Sequence, residues 1–233
     1  LAIANADNML ALYPVQIQAV HIVTQSPVEN RSVNSRISLI DENDFLENRA
    51  IVKACSQYGE RSNWVKQQYL KMKFVSKSLV PVLILDADTF FKKDFFLFST
   101  ELQALLINQE DFHYPYASHC RDFFGTHQPL LNFVNHLQLQ IPSYYRDFFG
   151  LDFDAGWVRW ANLGRKFGED SPISEFQTYA GCVLVSPKLR PILVSLQHQT
   201  LNAENLTIPE FKKALATYEG DLLTVGNKLL IRN

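Results

Sequence analysis

The run Val80-Pro81-Val82-Leu83-Ile84-Leu85 is apolar throughout and stops abruptly at Asp86-Ala87-Asp88-Thr89. It falls far short of the roughly 20 apolar residues that cross a bilayer. It has the length of a strand covered on both faces, and such strands belong mainly to sheets flanked by helices. The chain before it supplies matching elements. Gln16–Val23 and Arg36–Ile40 read as strands. Between Ser62 and Val75 the periodicity becomes helical, with Val65, Tyr69 and Met72 on one stripe and Trp64, Gln67, Gln68 and Lys71 on another. Ser62 or Asn63 is the expected cap. Strand–helix–strand alternation predicts an α/β fold with a mostly parallel central sheet and flanking helices. The chain is 233 residues long and no Pro/Gly/Ser-rich linker divides it, so a single domain over 1–233 is expected.

Composition removes several function classes. Hydrophobic residues at 47% and charged residues at 20% are ordinary for a globular chain, and a net charge of -2 leaves no basic footprint for nucleic acid. Cys55, Cys120 and Cys182 are odd in number and widely spaced, so neither a disulfide framework nor a zinc knuckle is expected. A reducing, cytoplasmic location follows, with peripheral contact at the inner face of the membrane as the most the chain would make. With only nine glycines, none set in GxGxxG or GxxxxGK[ST], no Rossmann fingerprint or P-loop is supported. No GxSxG elbow occurs. The word Arg-Asp-Phe-Phe-Gly occurs at Arg121–Gly125 and again at Arg146–Gly150, each read as a helix or turn end closed by glycine. Phe90, Phe91, Phe95, Phe96 and Phe98 cluster just beyond Asp88 and read as core.

Asp86 and Asp88 carry the sharpest chemical signal. Paired carboxylates repel unless a cation lies between them or one is protonated. Mg²⁺ or Mn²⁺ favours such oxygens, and a diphosphate can fill the remaining positions. In open parallel sheets, ligands sit beyond the carboxyl ends of the strands, where this motif falls. The plainer reading is a polar turn whose Asp side chains bond free backbone N–H groups. The same string fits a haloacid-dehalogenase-like phosphatase with Asp86 as nucleophile. That enzyme needs a downstream lysine and second acidic pair, and the nearest candidate, Gly220-Asp221, lacks them.

Taken in order, further blocks accompany this motif. They are Ile40-Asp41-Glu42 with Asp44-Phe45-Leu46, Arg61–Met72, His113-Tyr114-Pro115-Tyr116, Phe133-Val134-Asn135-His136, the Trp157/Trp160 pair and Ser174–Tyr179. Together they resemble a largely uncharacterised family of bacterial GT-A-type glycosyltransferases associated with surface-polysaccharide biosynthesis, from about Ile37 to Val185. The resemblance implies a single GT-A-like domain. It also implies transfer of a sugar from a nucleotide-diphosphate donor, a UDP-sugar being the first to test, to a glycan or lipid-linked acceptor with Mn²⁺ or Mg²⁺. Two departures stand out. Ala6–Tyr13 reads as the tail of a first helix, so the opening strand is upstream of Leu1 or missing. The family's glycine after Tyr179 is Ala180, with Gly181 next. A non-catalytic nucleotide- or glycan-binding module of the same fold stays open.

Roles follow residue by residue. Asp88 is expected as the direct metal ligand, with Asp86 binding through water or touching the donor ribose. Trp64, Gln68 and Lys71 share a helical stripe that faces either solvent or a donor cleft, where Lys71 would neutralise phosphate. Glu175 is the expected base for the acceptor hydroxyl. The plainer capping-box reading of Glu175 is weak, because Ser174-Glu175 lacks the three-residue spacing of that motif. Tyr179, four residues on, would share a face with Glu175. His136 would complete the metal shell or touch donor phosphates. His113 and Trp157 are expected on the acceptor side, although Trp157 and Trp160 fit a buried helix face equally well.

Overall fold

A helix enclosed on every side has to lie at the centre of its fold, and the helix Glu175–Val185 is buried at every position from Glu175 to Val183. The computed structural model describes residues 2–25, 34–91, 101–108, 112–127, 129–167, 172–195, 198–202, 213, 217–218 and 222–226. In chain order its helices are α1 (Ala2–Leu12), α2 (Arg49–Ser56), α3 (Ser62–Lys77), α4 (Tyr114–Phe124), α5 (Pro142–Phe149), α6 (Phe153–Gly164) and α7 (Glu175–Val185). The strands are β1 (Val20–Thr24), β2 (Ile37–Asp41), β3 (Val82–Leu85), β4 (Thr89–Phe91), β5 (Leu102–Ile107), β6 (Leu137–Gln140), β7 (Arg190–Ser195), β8 (His198–Asn202) and β9 (Leu222–Gly226). The protein is therefore α/β.

Local chemistry explains where the helices start and stop. Asn48 and Asp152 cap α2 and α6 by accepting from Ala50 N at 3.0 Å and Ala155 N at 3.1 Å. Pro115 and Pro142 lie in the first turns of α4 and α5. Both Arg-Asp-Phe-Phe-Gly words end these helices, with Gly125 at φ 68° and Gly150 at φ 85°. Helix α3 starts without the expected Ser62 or Asn63 cap: the 3-10 turn Gly59–Arg61 runs straight into it and leaves Arg61 in the cap position.

Val65, Tyr69, Met72 and Val75 of α3 are fully buried, as their spacing demands. They join Trp157, Trp160, Tyr144, Tyr145, Phe149 and Tyr179 in an aromatic core framed by α3, α5, α6 and α7. Asp154 ties the edge of this core together, accepting from Lys73 Nζ at 2.5 Å, Tyr69 Oη at 3.0 Å and Asn48 Nδ2 at 3.3 Å.

The strands form small sheets. β1–β2, β5–β7 and β8–β9 pair parallel, whereas β3–β6 and β4–β9 pair antiparallel. Two expectations are corrected here. The strand leading to Asp86 is antiparallel to its neighbour, and of its residues only Ile84 is buried. Leu79 and Val80 are exposed in the turn before it, so the apolar run is not a strand covered on both faces. β5 and β6 lie side by side, linked by side-chain amides: Gln138 Nε2 donates to Ala104 O at 3.0 Å and Gln103 Nε2 to Leu139 O at 3.1 Å. Phe90 is buried, while Phe95, Phe96, Phe98 and Gly220-Asp221 lie outside the described residues.

Two stability predictions follow. A Cβ added at Gly156 would run into the backbone of Phe149, where α5 and α6 touch. Gly156→Ala should therefore cost at least about 3 kcal/mol, read as a fall in the urea midpoint. His119 is fully buried, donates from Nε2 to Trp160 O at 2.9 Å and leaves Nδ1 without a hydrogen-bond partner. Burial lowers its pKa from 6.5 to about 4. The unfolded chain thus takes up a proton that the folded chain refuses, and stability should fall by about 3 kcal/mol as pH drops from about 6.5 to about 4. His119→Asn should flatten that slope in denaturation measured across the window; an unchanged slope would exclude His119 as its source.

Candidate functional site

Antiparallel pairing builds the site. Leu85 lies opposite Leu137, so one step further Asp86 meets His136, and Asp86 N donates to His136 O at 2.9 Å. Thr89 N then bonds Asp86 O at 3.0 Å, closing the Asp86–Thr89 turn. From α1, Asn5 Nδ2 donates to Thr89 O at 2.5 Å and anchors that turn from behind. His136 has φ 58°, the one left-handed non-glycine among the described residues. Such a conformation costs of order 1–2 kcal/mol and is held only by its surroundings. Its ring nitrogen Nδ1 is 2.8 Å from Asp86 Oδ2.

The second stripe of α3 faces this corner. Gln68 Oε1 accepts from Glu175 N at 2.8 Å. Lys71 Nζ donates to Asp86 Oδ1 and, at 2.5 Å, to Glu175 Oε1. Its ammonium also lies 4.9 Å from the centre of the Phe176 ring. Ser174 caps α7, its hydroxyl accepting from Gln177 N at 3.3 Å. Gln177 fills the third place after it, although its own side chain bonds Leu131 O and Phe133 N instead.

The electrostatics are uneven. Burial disfavours the charged lysine, but Asp86 and then Glu175 outweigh it and hold Lys71 firmly protonated. Burial also works against the Asp86 carboxylate, yet Lys71 and His136 drive its pKa well below the usual range. Glu175 shifts the other way, raised by burial and the Asp86 charge against the pull of Lys71. Its side chain is 1% exposed, against 24% for Asp86 and 19% for Lys71. Asp88 is half-buried and raised by burial and by Asp86, and it makes no ion pair among the described residues. The His136 ring loses by burial but gains more from Asp86, so its pKa rises.

The structure thus brings Gln68, Lys71, Asp86, His136 and Glu175 together, with Asp88 beside them. Trp64 lies half-exposed further along α3, and His113 packs edge-on against Tyr116 at 4.4 Å. Two expected acceptor residues are elsewhere. Tyr179 is buried, its hydroxyl accepting from Gln103 Nε2 at 2.6 Å and Ile141 N at 2.8 Å. Trp157 is buried against Tyr69 at 5.0 Å, and Trp160 donates to Thr178 Oγ1 at 3.1 Å, so neither indole offers a face to a sugar. Sequence reasoning missed Asn5 and Arg61 as site residues. Arg61 stood three places before Trp64, at helical spacing; nothing in the sequence tied Asn5 to Thr89.

Among the described residues, no group of three or more His, Cys, Asp and Glu side chains is set to hold a metal ion. The donor set fits a divalent ion carried mainly by its ligand. Asp88 is an uncommitted carboxylate, and Asp86 keeps one spare lone pair on each oxygen. Mg²⁺ commonly takes one or two protein carboxylates and draws its other ligands from phosphate and water. No family model matches the chain, and no curated protein matches it in sequence.

Removing Lys71 leaves two carboxylates facing one another without their cation. Lys71→Met should destabilise the fold by about 3–5 kcal/mol, and Glu175→Gln in the same chain should recover part of the loss. Urea denaturation of both single variants and the double variant checks this; strict additivity would show that the pair is not coupled.

Proposed function

We propose that the protein is a nucleotide-sugar-dependent glycosyltransferase with a single GT-A-like domain, acting on a glycan or lipid-linked acceptor. One observation carries the reading: a protonated lysine clamped to Asp86 at a strand end, next to an uncommitted Asp88. Such a corner offers a positive charge to a diphosphate and a carboxylate to its metal. Asp88, with the spare lone pairs of Asp86, would hold Mn²⁺ or Mg²⁺ there. When bound, the ion would supply Lewis-acid stabilisation of the departing diphosphate. His136 and Lys71 fix the Asp86 carboxylate from both sides and keep it ionised. Asn5 holds the turn that carries Asp88.

Glu175 cannot take a proton from an acceptor while its oxygen is committed to Lys71 and closed to solvent. An arriving diphosphate competes for the same ammonium. Lys71 turning toward phosphate would free Glu175 Oε1, and a carboxylate with a raised pKa is suited to accept the acceptor's hydroxyl proton. Donor binding and release of the base would then be one event, so that no base is armed before the donor is present. The phosphatase alternative needs a downstream lysine and a second acidic pair, and the nearest candidate, Gly220-Asp221, lacks them.

The test is calorimetric titration with UDP, GDP and CMP, each with and without Mn²⁺, on the native chain and on Asp88→Asn. One nucleotide should bind in a metal-dependent manner, and Asp88→Asn should weaken it at least about tenfold, equivalent to 1.4 kcal/mol. Tight binding with no turnover of any sugar nucleotide would favour the non-catalytic module. Binding by Asp88→Asn equal to that of the native chain would overturn the metal assignment.

A further inference from the structure

Helix α3 extends beyond the lysine that anchors the site, and it serves as a ruler. Lys71 stands at Asp86, Gln68 at the backbone of Glu175, and Trp64 and Arg61 toward the helix start. The helical rise separates Arg61 from Lys71 by about 15 Å. Arg61 is exposed, its guanidinium lies 5.8 Å over the Trp64 ring, and it makes no ion pair among the described residues. In the first turn of α4, Tyr116 is half-buried with the His113 ring against it.

The surrounding charges separate two ends of the site. The Tyr116 hydroxyl is pushed up to about 12 by burial and by the charge of Glu175, with Arg61 opposing. Tyr116 therefore lies within electrostatic reach of both residues. Asp88 responds instead to Asp86, His136 and Lys71. Glu175 belongs to both groupings, joined to the carboxylate corner through Lys71 and felt electrostatically by Tyr116.

We propose that the Arg61–Trp64–Tyr116 wall is the acceptor subsite, and that it takes an acidic saccharide whose carboxylate pairs with Arg61 while its ring lies against Trp64. The word acceptor rests on the transferase reading; the binding of an acidic saccharide does not. A guanidinium poised 5.8 Å over an indole presents a planar fork of donors that matches a carboxylate with two parallel hydrogen bonds. A neutral saccharide covering the same wall would strip water from Arg61 and return no counter-charge. The position also suits the proposed chemistry, because Trp64 shares the α3 stripe of Gln68 and Lys71, the two residues that hold Glu175.

Tryptophan fluorescence gives a direct readout. Of the three tryptophans in the chain, Trp157 and Trp160 are fully buried, which leaves Trp64 as the accessible reporter. The full chain would be titrated with a hyaluronan tetrasaccharide, which carries carboxylates, and with neutral chitotetraose. The acidic probe should bind at least about tenfold more tightly. Arg61→Gln should erase that preference, Arg61→Lys should keep part of it, and Gln in place of the exposed Arg159 should leave it intact. Trp64→Phe should abolish the signal. Equal affinity for the two probes, no binding of either, an unchanged preference in Arg61→Gln, or displacement of the acidic probe by uridine would each overturn the proposal. Nucleotide titration reports separately on the transferase reading. A saccharide preference without nucleotide binding would keep the subsite and remove the transferase; nucleotide binding without the preference would do the reverse.

Discussion

One ammonium organises this protein. Lys71 projects from α3 between the carboxylate that follows β3 and the one that opens α7, so a single charge joins three elements far apart in sequence. Burying such a cluster is favourable only when every member is paired and hydrogen-bonded, because the desolvation cost otherwise exceeds the attraction. The fold meets that condition at each point. His136 takes the second oxygen of Asp86, Gln68 takes the backbone N–H of Glu175, and the start of α7 places its positive dipole end beside the Glu175 carboxylate. The aromatic core beneath keeps α3 and α7 at the separation this geometry needs.

The same arrangement gives the site its polarity. A lone lysine flanked by two carboxylates cannot satisfy both equally. Asp86 is the more exposed and has a second partner, so it remains ionised, while Glu175 in its dry position is pushed toward protonation. Asp88 lies just outside the clamp, where burial and the charge of Asp86 outweigh the more distant relief from His136 and Lys71. Two carboxylates with environments this different are what separate acid–base and charge-stabilising duties require.

The helical half of the fold was legible because its signals are local. The buried stripe of α3 and both glycine-terminated Arg-Asp-Phe-Phe-Gly ends lie within single elements. The stripe carrying Gln68 and Lys71 was visible for the same reason. Strand direction was not legible, since the apolar run before Asp86 has the same composition in either orientation. What sets its partner is Leu137–Gln140, whose alternating Leu and Gln read as a half-exposed strand although all four residues are buried. Trp157 and Tyr179 were ambiguous for a further reason. Spacing places a residue on a helical face, but only the packing of α5, α6 and α7 decides that the face is closed.

Those buried glutamines also explain why the sheets remain small. Between β5 and β6, side-chain amides occupy the space where backbone ladders would run. Gln138 both accepts from Leu106 N at 3.4 Å and donates to Ala104 O, and Asn135 Nδ2 donates to Leu106 O at 2.5 Å. An amide that bridges two strands satisfies backbone groups of both and holds them further apart than direct pairing does. The strand edge is thereby satisfied without being extended. Asn135 belongs to this seam and His136 follows it directly, so the residue that turns left-handed to reach Asp86 is the next link in a chain already fixed to β5. The strain at His136 is thus supported from the sheet side by the amide seam and from the site side by Asp86, and the carboxylate corner inherits its rigidity from both.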